Sequence, residues 1–183
     1  MKNFNDGYSV YKKKRSSAKE CAQIAVFVSV LIAVQVALSF VPGVELVTVL
    51  FVTYSFEMGI KRGIISAVAF TFLRQLVFGF APTVFILYFI YFPLLTIIFG
   101  FLGGKINSTL RCLPLIVLVA CTGTIIFTML DNVITPIWYG YSEETIKIYF
   151  FASLQFMVPQ VICTAISVAS LFLPLHKTFA KFA

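Results

Sequence analysis

Charge is what this sequence has least of: 11% of its 183 residues are Asp, Glu, Lys or Arg, 60% are apolar, and the mean hydropathy is +0.99. A water-soluble domain carries about 25% charged residues to cover its surface, so lipid is the solvent for most of this chain. Histidine occurs once, at His176, which is too few to build a histidine-rich metal centre. The four cysteines, Cys21, Cys112, Cys121 and Cys163, lie in or beside apolar runs, so they read as small buried hydrophobes and not as a disulfide framework. A phosphate-cradling loop is also missing: Gly100 is misplaced by one residue for the Gly104-Lys105 pair, and Ile106 follows where Ser or Thr must bind magnesium. There is no His-Glu-x-x-His and no Gly-x-Ser-x-Gly elbow, and Glu143-Glu144 lack histidine partners. The expectation is therefore no enzyme, with no catalytic residues, no bound metal and no cofactor.

What the chain does have is apolar runs that follow one another from residue 21 to 175 with short polar breaks. A bilayer core of about 30 Å takes roughly 20 helical residues. On that measure six transmembrane helices are expected, near 21–40, 44–60, 64–79, 83–102, 113–136 and 147–173. The breaks are Val41-Pro42-Gly43, Lys61-Arg62-Gly63, Gly79 to Pro82, Gly103-Gly104-Lys105, and an aromatic loop from Trp138 to Glu144. Pro159 is expected to bend the last helix. The first run follows a basic stretch and imitates a signal peptide, but it is long for one and Ala37-Leu38-Ser39 is a poor cleavage site. The expected organisation is a basic cytoplasmic tail over 1–20, a six-helix domain over 21–176, and a second cytoplasmic tail over 177–183.

The basic residues give that bundle a direction. With the N-terminus inside, the N-terminal tail holds Lys2, Lys12, Lys13, Lys14, Arg15 and Lys19, and the inner loops hold Lys61, Arg62, Lys105 and Arg111. Lys177 and Lys181 bring the inner total to twelve of fourteen, leaving Lys147 outside and Arg74 within the third helix. This is the positive-inside pattern of a protein with both ends in the cytoplasm, and it accounts for the net charge of +7 without nucleic acid.

The polar residues within the helices favour the outer half. Arg74 and Asp131 each sit about five residues from the outer end, roughly 7 Å deep. Gln75 and Asn132 adjoin them, Glu45 and Thr48 open the second helix, and Tyr88, Tyr91 and Gln155 lie in the outer halves of theirs. Together they outline a polar, aromatic-lined cup open to the outside. A charge near the bilayer centre costs about 2.5–3.5 kcal/mol on insertion scales, so such residues mark function more often than scaffolding. Arg74 suits a carboxylate or phosphate, and Asp131 or Glu45 an amine or hydroxyl. The structural alternative pairs Arg74 with Asp131. Glu57 has a plain explanation in Lys61 four residues on, Tyr and Trp near a boundary are ordinary belt residues, and His176 reads as interfacial.

On the first helix Ala25, Ser29, Ala33 and Ala37 recur every four residues, a smooth stripe of the kind that lets another membrane helix approach closely, or that packs within its own bundle. With this stripe, the segment Val41-Pro42-Gly43-Val44-Glu45 and the Lys61-Arg62-Gly63 turn, the chain resembles the substrate-binding S component of an energy-coupling-factor (ECF) vitamin transporter. The resemblance extends over nearly the whole chain in size and helix number. It implies an ECF S-component-like bundle in a bacterial cytoplasmic membrane that captures a vitamin or related micronutrient. It further implies a transmembrane coupling subunit, docked at Ala25, Ser29 and Ala33, and two ATPase subunits. The family pattern on this helix is Ala-x-x-x-Ala, which Ser29 departs from while staying small; Ala18/Ala22 and Ala33/Ala37 are strict matches in other registers. The substrate-binding residues expected are Glu45, Thr48, Arg74, Gln75, Tyr88, Asp131, Asn132 and Gln155. Cobalamin, pyridoxine and smaller precursors all fit an amphipathic, aromatic-lined site. A different class stays open: a small membrane scaffold of the cell-wall or shape machinery, resembling MreD-type proteins, with no small-molecule substrate.

Overall fold

The computed structural model describes residues 17–41, 46–106 and 109–181. Within them the chain forms six α-helices: α1 Ser17–Leu38, α2 Val47–Met58, α3 Ile60–Phe78, α4 Pro82–Lys105, α5 Thr109–Tyr139 and α6 Glu143–Ala180. Side-chain contacts show that successive helices run antiparallel. Glu20 near the start of α1 meets Arg62 near the start of α3, and Glu57 at the end of α2 meets His176 near the end of α6. We call this the proximal end; the distal end holds the C-terminus of α1 and the N-terminus of α4, joined by Gln35 and Tyr88.

Four helices, α1 from Ala18 together with α4, α5 and α6, are long and apolar enough to cross a membrane. At about 1.5 Å per residue, α6 reaches roughly 57 Å, well beyond the bilayer core. The chain thus has the build of a multi-pass membrane protein. α3 has 19 residues but carries Lys61, Arg62 and Arg74. α2 has only 12 residues, and its ten from Val47 to Phe56 are all buried. It is the axis of the bundle: α1, α3, α4 and α6 surround it, and the Phe51 ring stacks on Phe92 with centroids 4.6 Å apart. The outward faces are apolar instead, with Leu76 80%, Ile148 70% and Ile166 64% exposed. Such faces are stable against lipid chains and would not be against water. The interior carries hydroxyls, and Thr53 and Thr71 donate to the carbonyls of Val49 and Ala67 one turn back, at 2.7 and 2.9 Å.

Several expected boundaries move. The break between α2 and α3 is the single residue Gly59, at φ +80°, and Lys61, Arg62 and Gly63 belong to α3 and not to a turn. Glycine alone takes that left-handed conformation cheaply, which outweighs the polar triplet as a stop signal. α4 lies so close to the end of α2 that a Cβ on Gly103 would sit 2.0 Å from the Phe56 carbonyl oxygen. The aromatic loop shrinks to 140–142, because Trp138 and Tyr139 finish α5 while Glu143 and Glu144 open α6. Ser142 is the N-cap there, and two carboxylates in the first turn suit the helix dipole. α6 continues through Pro159 and on to Ala180. Glu57 pairs with His176 and not with Lys61, so the acid ties α2 to α6; Thr109 Oγ1 adds a 3.3 Å contact to the same imidazole.

Candidate functional site

At the distal end the helices part around two adjoining cavities. The first, about 360 Å³, lies between α1, the start of α2, α3 and α4, and is lined by Gln35, Ser39, Val47, Arg74, Phe78 and Tyr88. The second, about 330 Å³, lies between α5 and α6 and is lined by Thr128, Asp131, Tyr149, Ala152, Ser153 and Phe156. Phe127 and Gln160 line both, so the cavities meet across one aromatic ring and one amide.

Helical periodicity explains who lines the site. On α6, Tyr149, Ser153, Phe156 and Gln160 recur at intervals of four, three and four residues and form one face. Gln155 falls between those positions, is exposed, and lines neither cavity. On α1, Gln35 continues the buried face of Val28 and Leu31, and its Nε2 donates to the Tyr88 hydroxyl at 3.1 Å. That bond fixes the Tyr88 ring, over which the Arg74 guanidinium lies at 4.7 Å; Phe78 flanks the same cation at 5.1 Å. A half-buried guanidinium between aromatic faces is stabilised electrostatically while keeping its in-plane N–H donors available.

Asp131 is provided for separately. The Tyr149 hydroxyl donates to Oδ2 at 2.6 Å, and Thr135 Oγ1 donates to Oδ1 at 2.8 Å. The structural alternative of an Arg74–Asp131 ion pair is therefore not realised; the two charges occupy different cavities. The remaining expected site residues divide. Thr48 is buried within α2 and Gln75 within α3, and neither lines a cavity. Gln75 Oε1 instead accepts the Ala81 amide at 3.0 Å, holding the turn into α4. Asn132 Nδ2 donates to Ser153 Oγ at 2.8 Å and clips α5 to α6 beside the site. Glu45 lies outside the described residues. Of the eight expected positions, Arg74, Tyr88 and Asp131 line the cavities. Gln35, Phe127, Tyr149, Ser153 and Gln160 were missed; the phase of the inward faces of α1 and α6 could have pointed to all of them but Phe127, which lies on α5.

The small-residue stripe also has a definite place. Ala25, Ser29, Ala33 and Ala37 are all exposed, while Phe27, Val28 and Leu31 face the core, so the stripe lies on the outer surface and does not pack within this bundle. Ser29 Oγ bonds back to the Ala25 carbonyl at 2.8 Å, which leaves the surface smooth and without a free hydroxyl donor. Among the described residues no three His, Cys, Asp or Glu side chains gather as a metal site would require. No family model, curated protein or solved structure matches this chain.

Proposed function

We propose that this chain is the substrate-binding subunit of an ECF-type transporter in a bacterial cytoplasmic membrane, capturing a small micronutrient at its outer face. In this reading all six helices form the membrane domain, both termini are cytoplasmic, and the distal end faces outward. The observation that carries it is the pair of adjoining cavities at the distal end, polar and aromatic, with Arg74 in one and Asp131 in the other. Ligand sites of vitamin-sized molecules occupy about 300–1,000 Å³. Cavities of 330 and 360 Å³ suit a ligand on the scale of pyridoxine. The orientation is supported by the basic residues: Lys19, Lys61, Arg62, Lys105 and Arg111 all lie toward the proximal end.

Energy must come from elsewhere, through a transmembrane coupling subunit carrying two ATPase subunits. The exposed stripe of Ala25, Ser29 and Ala33 offers that subunit a close helix approach, since packing and not hydrophobicity drives association in lipid. Reconstitution tests the reading: tagged chain co-expressed with an ECF module should co-isolate the coupling subunit and both ATPases in defined ratio. A chain that never associates with such a module, while folding normally in the membrane, would refute it.

A further inference from the structure

The two distal charges are not in equivalent states, and the difference bears on what the site accepts. Asp131 already has a donor on each carboxylate oxygen, from Tyr149 and Thr135. Arg74 has rings on its flanks but no carboxylate within ion-pair distance among the described residues, and its buried Nε has no hydrogen-bond partner. Aromatic faces stabilise the cation without accepting its in-plane N–H groups, so the guanidinium fork remains unfilled. A second feature of the same cavity has the same sign. Leu46 and Val47 line it at the N-terminus of α2, which has no side-chain cap and no acid in its first turn. Among the described residues the first i to i−4 amide bond of α2 is Leu50 to Leu46, so the amides of Val47 to Val49 have no acceptor within the described helix. Positive end of helix and unfilled guanidinium therefore meet in one cavity.

Building on the capture role above, we propose that the captured molecule is an anion and neither a zwitterion nor a cation. Its carboxylate or phosphate sits against Arg74 and the start of α2, and its apolar body lies along Tyr88 and Phe127. Asp131, closed by Tyr149 and Thr135, shapes the second cavity for neutral hydrogen-bonding groups and is not the counter-ion of an ammonium. This narrows the sequence expectation, which allowed an amine or a hydroxyl opposite the carboxylate or phosphate, to the hydroxyl. Glu45, next to Leu46 in sequence but outside the described residues, is the acid that the test must separate from the ligand.

The test is thermal melting of the full chain in detergent at fixed ionic strength, with benzoate, phenyl phosphate, benzamide and benzylammonium as probes. At least one of the two anions should raise the melting temperature of the wild type, while benzamide and benzylammonium should not. Arg74→Gln should lower affinity for that anion by about tenfold or more, the scale of a lost charge-assisted contact. Arg74→Lys should restore only part of it, because an ammonium cannot reproduce the fork. The inference is overturned if benzamide or benzylammonium stabilises as well as the anions, if the response survives Arg74→Gln, or if no anion stabilises the wild type. It is equally overturned if Glu45→Gln restores the stability lost in Arg74→Gln, which would make Arg74 a structural partner of Glu45. A response to benzamide or benzylammonium removes the charge assignment yet leaves ligand capture standing; failure to join an ECF module removes the capture role itself.

Discussion

Tyr149→Phe removes the hydroxyl that donates to Asp131 Oδ2 at 2.6 Å across α5 and α6, the contact that closes one oxygen of the site carboxylate. The acceptor is a carboxylate, and hydrogen bonds to charged groups contribute about 1.5–3 kcal/mol. Both side chains are only half-buried, which places the expected loss near the lower end, about 1.5–2 kcal/mol. Asp131→Asn alone leaves the Tyr149 hydroxyl facing a neutral amide and weakens both the Tyr149 and Thr135 bonds. With Tyr149 already Phe, the same change costs less, because the stronger of its two partners is gone. The double-mutant cycle should therefore give a coupling energy of about 1–2 kcal/mol. Reversible unfolding in mixed micelles, followed by far-ultraviolet circular dichroism, supplies the four free energies. Additivity of the two changes within about 0.5 kcal/mol would show that the contact contributes nothing, and the reasoning about Asp131 would fail.

Three further outcomes are expected. Gly103→Ala places a methyl 2.0 Å from the Phe56 carbonyl and should destabilise by about 1–3 kcal/mol or more, while Gly104→Ala, with nothing within 4 Å, should be neutral or better in the same unfolding assay. Ser29→Leu should impair energised uptake with the partner subunits and leave ligand affinity of the isolated chain unchanged, since Ser29 is exposed and remote from both cavities. Cysteines introduced at Ala81 and Ser142 should react with an impermeant maleimide from outside, and those at Arg62 and Lys105 should not; labelling at Arg62 from outside would reverse the orientation.

Six helices were legible because long apolar runs and glycine or proline breaks are properties of contiguous sequence. The ends were less so. A polar triplet at 61–63 reads as a turn, yet a basic residue at a helix end can reach the interface while staying helical, and only Gly59 takes the required positive φ. For the site, sequence gave depth and not azimuth. Arg74 and Asp131 share a depth, which made an ion pair plausible, but they lie in different cavities with different partners. Gln155 and Gln160 look equivalent in sequence, and helical phase brings only Gln160 into the site. Glu57 had an acceptable partner four residues away in Lys61, and a histidine 119 positions along the chain takes it instead. Pairings across helices depend on how α2 is surrounded, which no local spacing encodes.

Capture of a small molecule between α1, α3, α4, α5 and α6 is the central claim, and native mass spectrometry of the chain released from its own membrane addresses it most directly. The wild type is expected to carry one small-molecule adduct at unit stoichiometry, and Arg74→Gln is expected to lose it while keeping its fold. Bare protein mass in the wild type, purified without ligand depletion and melting cooperatively, would contradict the account.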